Sequence, residues 1–256
     1  EIKSFLGCEI TKDETTGSLK MTNVLKIERL VEEYGLPAQG RDVDTPMAHG
    51  FVTSQNPEPP LGAGGEQVGA GTPLPEGHRY LELVGSLQYL ATTTRPDIAQ
   101  AVGVLSRFRG QPTTAHWNGA IRVLRYLNCT KEMGITYTNS GDNELVGYVD
   151  ADFAGDLDGR KSTTGFVLLL NGSAVSWCSK KQSSVSTSTV EAEFVATAAA
   201  VKEVMWMGGM LEELGVTVKT VKLFCDNQGA IQHLKNHIVS KFTKHISISY
   251  HYAREK

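Results

Sequence analysis

From residue 144 onward the apolar residues change their period, and that change limits the possible folds more than any other feature of the chain. Three β-rich runs, 145–150, 165–170 and 174–178, follow in quick succession, and the last two are separated by Asn171-Gly172-Ser173, whose Asn-Gly pair favours a tight hairpin. A long helical pattern comes next. It begins after the Ser/Thr-rich run 183–189, a set of N-cap candidates, and ends near Leu214-Gly215, where glycine suits the C-cap. The run 221–225 then reads as a buried strand leading directly into a helix over 227–234. The order β-β-β-α-β-α predicts an α/β domain, a mixed sheet flanked by helices.

This order brings three carboxylates to one end of the sheet. Asp150 closes the first strand, Asp226 closes the fourth, and Glu193 lies in the long helix; ligands of open α/β sheets gather where strands end and connections diverge. Glu193 shares a stripe with Ala196, Ala200, Val204, Met207, Leu211 and Leu214 at steps of three and four, so it faces the core. Glu191, about 200° away around the helix, is expected to face solvent. A carboxylate on an apolar stripe costs several kcal/mol or shifts its pKa upward unless it is paired. Metal binding accounts for it. For each acid taken singly, an ordinary hydrogen-bonded carboxylate at the edge of a core is the alternative.

The rest of the chain is organised differently. Residues 54–77 are nearly half Gly and Pro and read as a flexible insertion. Before it, 1–53 holds two short strands joined by a turn at Thr15-Thr16-Gly17 and a helix over 24–34, a small α+β piece. After it, 78–142 carries helical stretches at 80–91, 97–108 behind Pro96, and 114–127, with Trp117, Ile121 and Leu124 on one stripe. The division is therefore 1–53, 54–77, 78–142 and 143–256. With 256 residues, 40% of them apolar, there is enough material for a core in each of two domains. The net charge of −3 provides no global attraction for nucleic acid, so any such binding must come from local Lys and Arg clusters. Cys8, Cys129, Cys178 and Cys225 stand singly, without zinc spacings, and suit a reducing, intracellular and cytoplasmic setting. No apolar run approaches the roughly 18 residues of a membrane span, so no membrane partner is expected. The start without Met and the end within a helical pattern at Lys256 read as cuts through a longer protein.

The motifs around the acids resemble the ribonuclease H domain of copia-type retrotransposon Pol polyproteins. Tyr148-Val149-Asp150-Ala151-Asp152-Phe153-Ala154-Gly155-Asp156 is similar to its first acidic motif, and Ser188-Thr189-Val190-Glu191-Ala192-Glu193-Phe194-Val195-Ala196 to its helix motif. Between them, Arg160-Lys161-Ser162-Thr163-Thr164-Gly165 and Val175-Ser176-Trp177-Cys178-Ser179-Lys180-Lys181-Gln182 resemble its second and third strands. Phe224-Cys225-Asp226-Asn227-Gln228-Gly229-Ala230-Ile231 completes the set. Upstream, Phe5-Leu6-Gly7, the run 83–90, Thr94-Arg95-Pro96-Asp97-Ile98 and the run 115–127 are similar to the segment between polymerase and ribonuclease H, the end of the reverse transcriptase and the connection. No Tyr-x-Asp-Asp turn is present, so a polymerase site is expected upstream of this chain.

The resemblance implies a ribonuclease H-like fold and hydrolysis of the RNA strand of RNA–DNA hybrids during reverse transcription. Two Mg²⁺ ions, with Mn²⁺ as a substitute, would be held by Asp150, Glu193 and Asp226, and Asp152 is the second choice at the first position. Ser188, Thr189, Asn227 and Gln228 would contact the hybrid, and helix capping explains the same residues. Arg160, Lys161, Lys180 and Lys181, with Lys235, His237, Lys241, Lys244 and His245, would hold phosphates or form a solvated basic face. Ser247 and Ser249 depart from the family pattern, and its last acid would lie beyond Lys256. The other expected partner is the remainder of the polyprotein. The alternatives are a degenerate fragment that binds nucleic acid without cleaving it, or a purely structural module.

Overall fold

The computed structural model describes residues 3–37, 43–48, 51, 71–138, 143–218 and 220–235. The chain divides into two compact units, Glu1–Thr136 and Tyr137–Lys256. Most of the Gly/Pro-rich stretch, the basic run from His237 through Lys241, Lys244, His245 and His251, and the side chain of Lys235 lie outside the described residues.

In the first unit β1 (Ser4–Phe5), β2 (Cys8–Lys12), β3 (Leu19–Thr22) and β4 (Ile135–Tyr137) form a sheet in that order. The β2–β3 turn contains Gly17 at φ +70°, the left-handed conformation its sequence suggests. Helices α1 (Val24–Glu33), α2 (Tyr80–Thr93), α3 (Ala99–Leu105) and α4 (Thr114–Cys129) pack around Ile27, Leu83, Leu87, Leu105, Leu124 and Leu127. The stretch expected as one helix over 97–108 is α3 between two 3-10 turns, Pro96–Ile98 and Ser106–Phe108. At its end the Ser106 hydroxyl donates back to the Gly103 carbonyl, which competes with the regular helical bond.

One expectation needs correcting. Residues 71–77 belong to the folded unit rather than to a flexible insertion, because Leu74 packs on the helical core and backbone bonds run from Leu74 N–H to Pro112 and from Thr114 N–H to Thr72. Composition averaged over the whole window concealed the single apolar anchor.

The second unit is α/β, with a mixed sheet and helices. Strands β5 (Glu144–Asp152), β6 (Thr163–Leu170), β7 (Ser173–Lys181) and β8 (Thr220–Cys225) lie in the order β7-β6-β5-β8. The pairs β5–β6 and β6–β7 are antiparallel and β5–β8 is parallel. Asn171 and Gly172 both have positive φ, which is the two-residue hairpin turn that matches strand twist. The crossover from β7 to β8 is α5 (Thr189–Glu213), and β8 is followed by α6 (Gln228–Lys235).

Both ends of α5 are closed by their sequence. The Ser188 hydroxyl accepts from the Glu191 N–H at 3.2 Å. At the other end Gly215, at φ +76°, donates to Glu212 while Val216 donates to Leu211, a Schellman closure. Leu214 is this helix's cap residue and is exposed, so the apolar stripe ends at Leu211. Ala192, Ala196 and Ala200 pack on Val149 and Ala151, and Met207 and Leu211 pack on Leu145 and Leu168. By length and composition α5 also qualifies as a membrane span, against the sequence reading. Its apolar stripe is the cover of the sheet.

Candidate metal centre

Strand alternation sets the first acid. Val149 and Ala151 point at α5, so Asp150 belongs to the other face of β5 and is exposed at the strand end. The parallel register pairs Val149 with Cys225, which places Asp226 one step beyond β8, beside the end of β5 where Asp150 stands. Glu193, one turn into α5, reaches down to the same edge and is 3% exposed. Gly229 favours this convergence: a Cβ there would come within 2.9 Å of the Val190 side chain, so a larger residue would require Val190 or the start of α6 to shift.

The environment of Glu193 is the strongest physical signal in the unit. Burial and the neighbouring Asp150 charge push its carboxyl up to about 7, Asp226 adds to the effect, and the Ala151 N–H opposes it. Ligand atoms of Glu193, Cys225 and Asp226 all lie within 4.8 Å of one another. Among the described residues no cationic side chain pairs with Asp150, Glu193 or Asp226. Converging carboxylates without a counter-ion among the described residues, offering hard oxygen donors, fit a divalent cation.

Relatives that match across most of this chain share one description. The chain is 39% identical to the retrovirus-related Pol polyprotein from transposon TNT 1-94 of Nicotiana tabacum over 253 residues, 99% of this chain and 18% of that protein. It is 37% identical to the Pol polyprotein from transposon RE1 of Arabidopsis thaliana across 100% of this chain and 16% of the relative. To that from transposon RE2 of the same plant it is 42% identical over 188 residues, 73% of this chain and 13% of the relative. The chain belongs to the copia-type retrotransposon Pol polyproteins. It spans less than a fifth of the length of these relatives. No family model matches it, and no solved structure does.

In this Pol fragment the remaining candidates divide by what they touch. Ser188 is the N-cap of α5, and the Asn227 side chain accepts from the Ala230 N–H at 2.9 Å at the start of α6. Both therefore cap helices beside the acids, while Thr189 and Gln228 are exposed at the same two helix starts. Lys181 forms an ion pair with Asp156, an acid buried to 2% exposure, and so holds the β5–β6 loop. Lys180 and Arg160 are exposed, Lys161 is half-buried, and Arg160 sits at φ +51°. Asp152 lies against Gly155 in that loop.

Glu191 departs from expectation. It is 6% exposed rather than solvent-facing, and its carboxylate accepts from the Thr187 N–H and hydroxyl, both at 2.7 Å. A helical wheel assumes that side chains leave radially, whereas an acid in the first turn curls back onto the free N–H groups there.

Two contributors escaped the sequence reading. Gln182 is buried and donates to Thr164 Oγ1 at 3.1 Å and to the Ala192 carbonyl at 3.0 Å, while Ser186 donates to it. This amide ties the ends of β6 and β7 to α5 one residue before Glu193, and so sets the rotation of the helix. Cys225, beside Glu193, is the second. Its step of two from Leu223 would have placed it on the α5 face.

Proposed function

We propose that the second unit is a ribonuclease H that hydrolyses the RNA strand of RNA–DNA hybrids, and that its β7-β6-β5-β8 sheet with α5 and α6 is a ribonuclease H-like fold. The observation that carries this reading is the meeting of Asp150, Glu193 and Asp226 from β5, α5 and the end of β8 without a cationic partner among the described residues. Family membership supports it, since hybrids are made and removed where a Pol polyprotein copies its RNA.

Asp150, Glu193 and Asp226 would hold Mg²⁺, which supplies an activated water and stabilises the leaving oxygen. The chain's own work is positioning. The Gln182 network and the Ser188 cap keep α5 in the rotation that presents Glu193, and the strand ends keep Asp150 and Asp226 on either side of it. Exposed Thr189 and Gln228 at the two helix starts, Arg160 in the β5–β6 loop and Lys180 near the end of β7 offer hydroxyl, amide and cationic groups suited to 2′-hydroxyls and phosphates.

A labelled hybrid incubated with the chain and Mg²⁺ or Mn²⁺ tests the reading. RNA cleavage is expected, duplex DNA stays intact, and Asp150→Asn, Glu193→Gln and Asp226→Asn each reduce the rate by about a thousandfold or more, as loss of several kcal/mol of charge stabilisation demands. Equal cleavage by wild type and the three variants would sink it.

A further inference from the structure

Glu193 stands between two different neighbourhoods. On one side lies the carboxylate of Asp150. On the other the Cys225 thiol donates weakly to Glu193 Oε2 at 3.9 Å. The tight group whose ligand atoms lie within 4.8 Å of one another is Glu193, Cys225 and Asp226, not the three acids. It consists of two carboxylates and a thiol, and its central carboxylate, Glu193, is 3% exposed without a cation against it among the described residues. β8 turns Cys225 toward α5, where it packs beside Val149 and Ala196, and the chain then rises over the strand end with Asp226. Consecutive residues thus aim sulfur and oxygen at one point.

The spacing suits a small tetrahedral ion. With Zn–S at about 2.3 Å and Zn–O at about 2.0 Å, tetrahedral angles put sulfur about 3.5 Å from each oxygen. The 3.9 Å between Cys225 Sγ and Glu193 Oε2 is close to that value, and an oxygen of exposed Asp226 lies within 4.8 Å of both. Mg²⁺ takes only oxygen and prefers six ligands, whereas a thiolate draws Zn²⁺ and its analogues. The usual zinc spacings are absent from the sequence because these ligands come together only through the β5–β8 register.

We propose that Glu193, Cys225 and Asp226 form a thiophilic cation site for Zn²⁺ that overlaps the Mg²⁺ ligands, so that Zn²⁺ displaces Mg²⁺ and blocks cleavage. Binding releases the thiol proton to solvent and leaves the fourth position to water. The inhibition rests on the ribonuclease H reading; the binding does not.

The test is a Co²⁺ titration of the metal-free full chain, followed by the near-ultraviolet thiolate-to-cobalt absorption. The band is expected in the wild type and to be erased by added Zn²⁺. Cys225→Ser and Cys225→Ala should lack it, and Glu193→Gln and Asp226→Asn should weaken Co²⁺ binding by at least about tenfold. An unchanged band in Cys225→Ser would mean that Cys8, Cys129 or Cys178 holds the ion and would overturn the proposal. If the Cys225 variants fail to unfold cooperatively, a chain with those three cysteines changed to Ser, and Cys225 as its one thiol, decides the matter: no band there ends the proposal. Zn²⁺ added to Mg²⁺-supported hybrid cleavage should inhibit the wild type at concentrations about tenfold or more below those needed for Cys225→Ser. Cobalt absorption that meets all these criteria in a chain without any cleavage upholds the site and rejects the nuclease reading instead.

Discussion

Both units bury charged side chains, and Arg95 in the first and Glu193 in the second are treated in opposite ways. Arg95, 1% exposed, has its counter-ion built in: Asp97 accepts from its guanidinium at 2.7 and 3.0 Å, Thr130 accepts through its carbonyl and hydroxyl, and the Tyr126 hydroxyl donates to Asp97. Glu193, 3% exposed, meets like charges and a thiol. The cost of burying an unpaired charge is the same physics in both places. In the first unit it is offset within the chain, so Arg95 is architecture, joining the start of α3 to the end of α4. In the second no cation among the described residues stands against Glu193, and this marks the site.

The largest expected effect tests the built-in pair. Arg95→Met removes one partner and leaves Asp97 without its cation, which should destabilise the first unit by about 3–5 kcal/mol. Denaturant unfolding in Mg²⁺ and in chelator should show the same loss. Metal-dependent rescue of this variant would break the contrast between the units.

Glu193 should behave in the reverse manner. Its carboxyl titrates at about 7 in the folded chain against an ordinary 4.5, so between these values the folded state holds a proton that the unfolded state has released. The contribution of Glu193 to the stability of the metal-free protein therefore falls as pH rises from 4.5 to 7 and stays lowered above that. Glu193→Gln should flatten this slope and make the metal-free protein more stable at pH 8, by on the order of 2–3 kcal/mol. Mg²⁺ should stabilise the wild type at pH 8 and leave the variant nearly unchanged. A wild type whose stability in chelator rises through this window relative to Glu193→Gln would contradict the account.

What could be read from sequence was what local chemistry decides. The Asn171-Gly172 turn, the Ser188 and Gly215 ends of α5, and the strand ends carrying Asp150 and Asp226 all follow from residues within a few positions of one another. The missed features depend on partners far along the chain. Lys181 reads as a phosphate ligand until Asp156 is seen against it, and Cys225 reads as a core residue until α5 brings Glu193 over it. Leu74 anchored a stretch whose composition suggested none. β4, only three residues long, has no pattern of its own to detect. Glu191 failed for a subtler reason, since its helical phase was right and the direction of its side chain was not.

That last residue gives the smallest effect and the sharpest control. Glu191 and Glu193 are buried acids two positions apart on one helix, but Glu191 spends its charge on the Thr187 N–H and hydroxyl at the N-terminal turn, where the backbone dipole already favours an anion. It has donors and needs no metal. Glu191→Gln keeps an acceptor oxygen in the same place and removes only the charge, so the expected cost is about 0.3–1 kcal/mol. That cost should be the same in chelator and in Mg²⁺, and hybrid cleavage should stay within about threefold of wild type, less than the tenfold that 1.4 kcal/mol represents. The comparison with Glu193→Gln then has opposite signs for stability at pH 8 in chelator, a small loss against a gain, and opposite outcomes for activity. If Glu191→Gln instead abolished cleavage while Glu193→Gln preserved it, burial without a counter-ion would have pointed to the wrong acid.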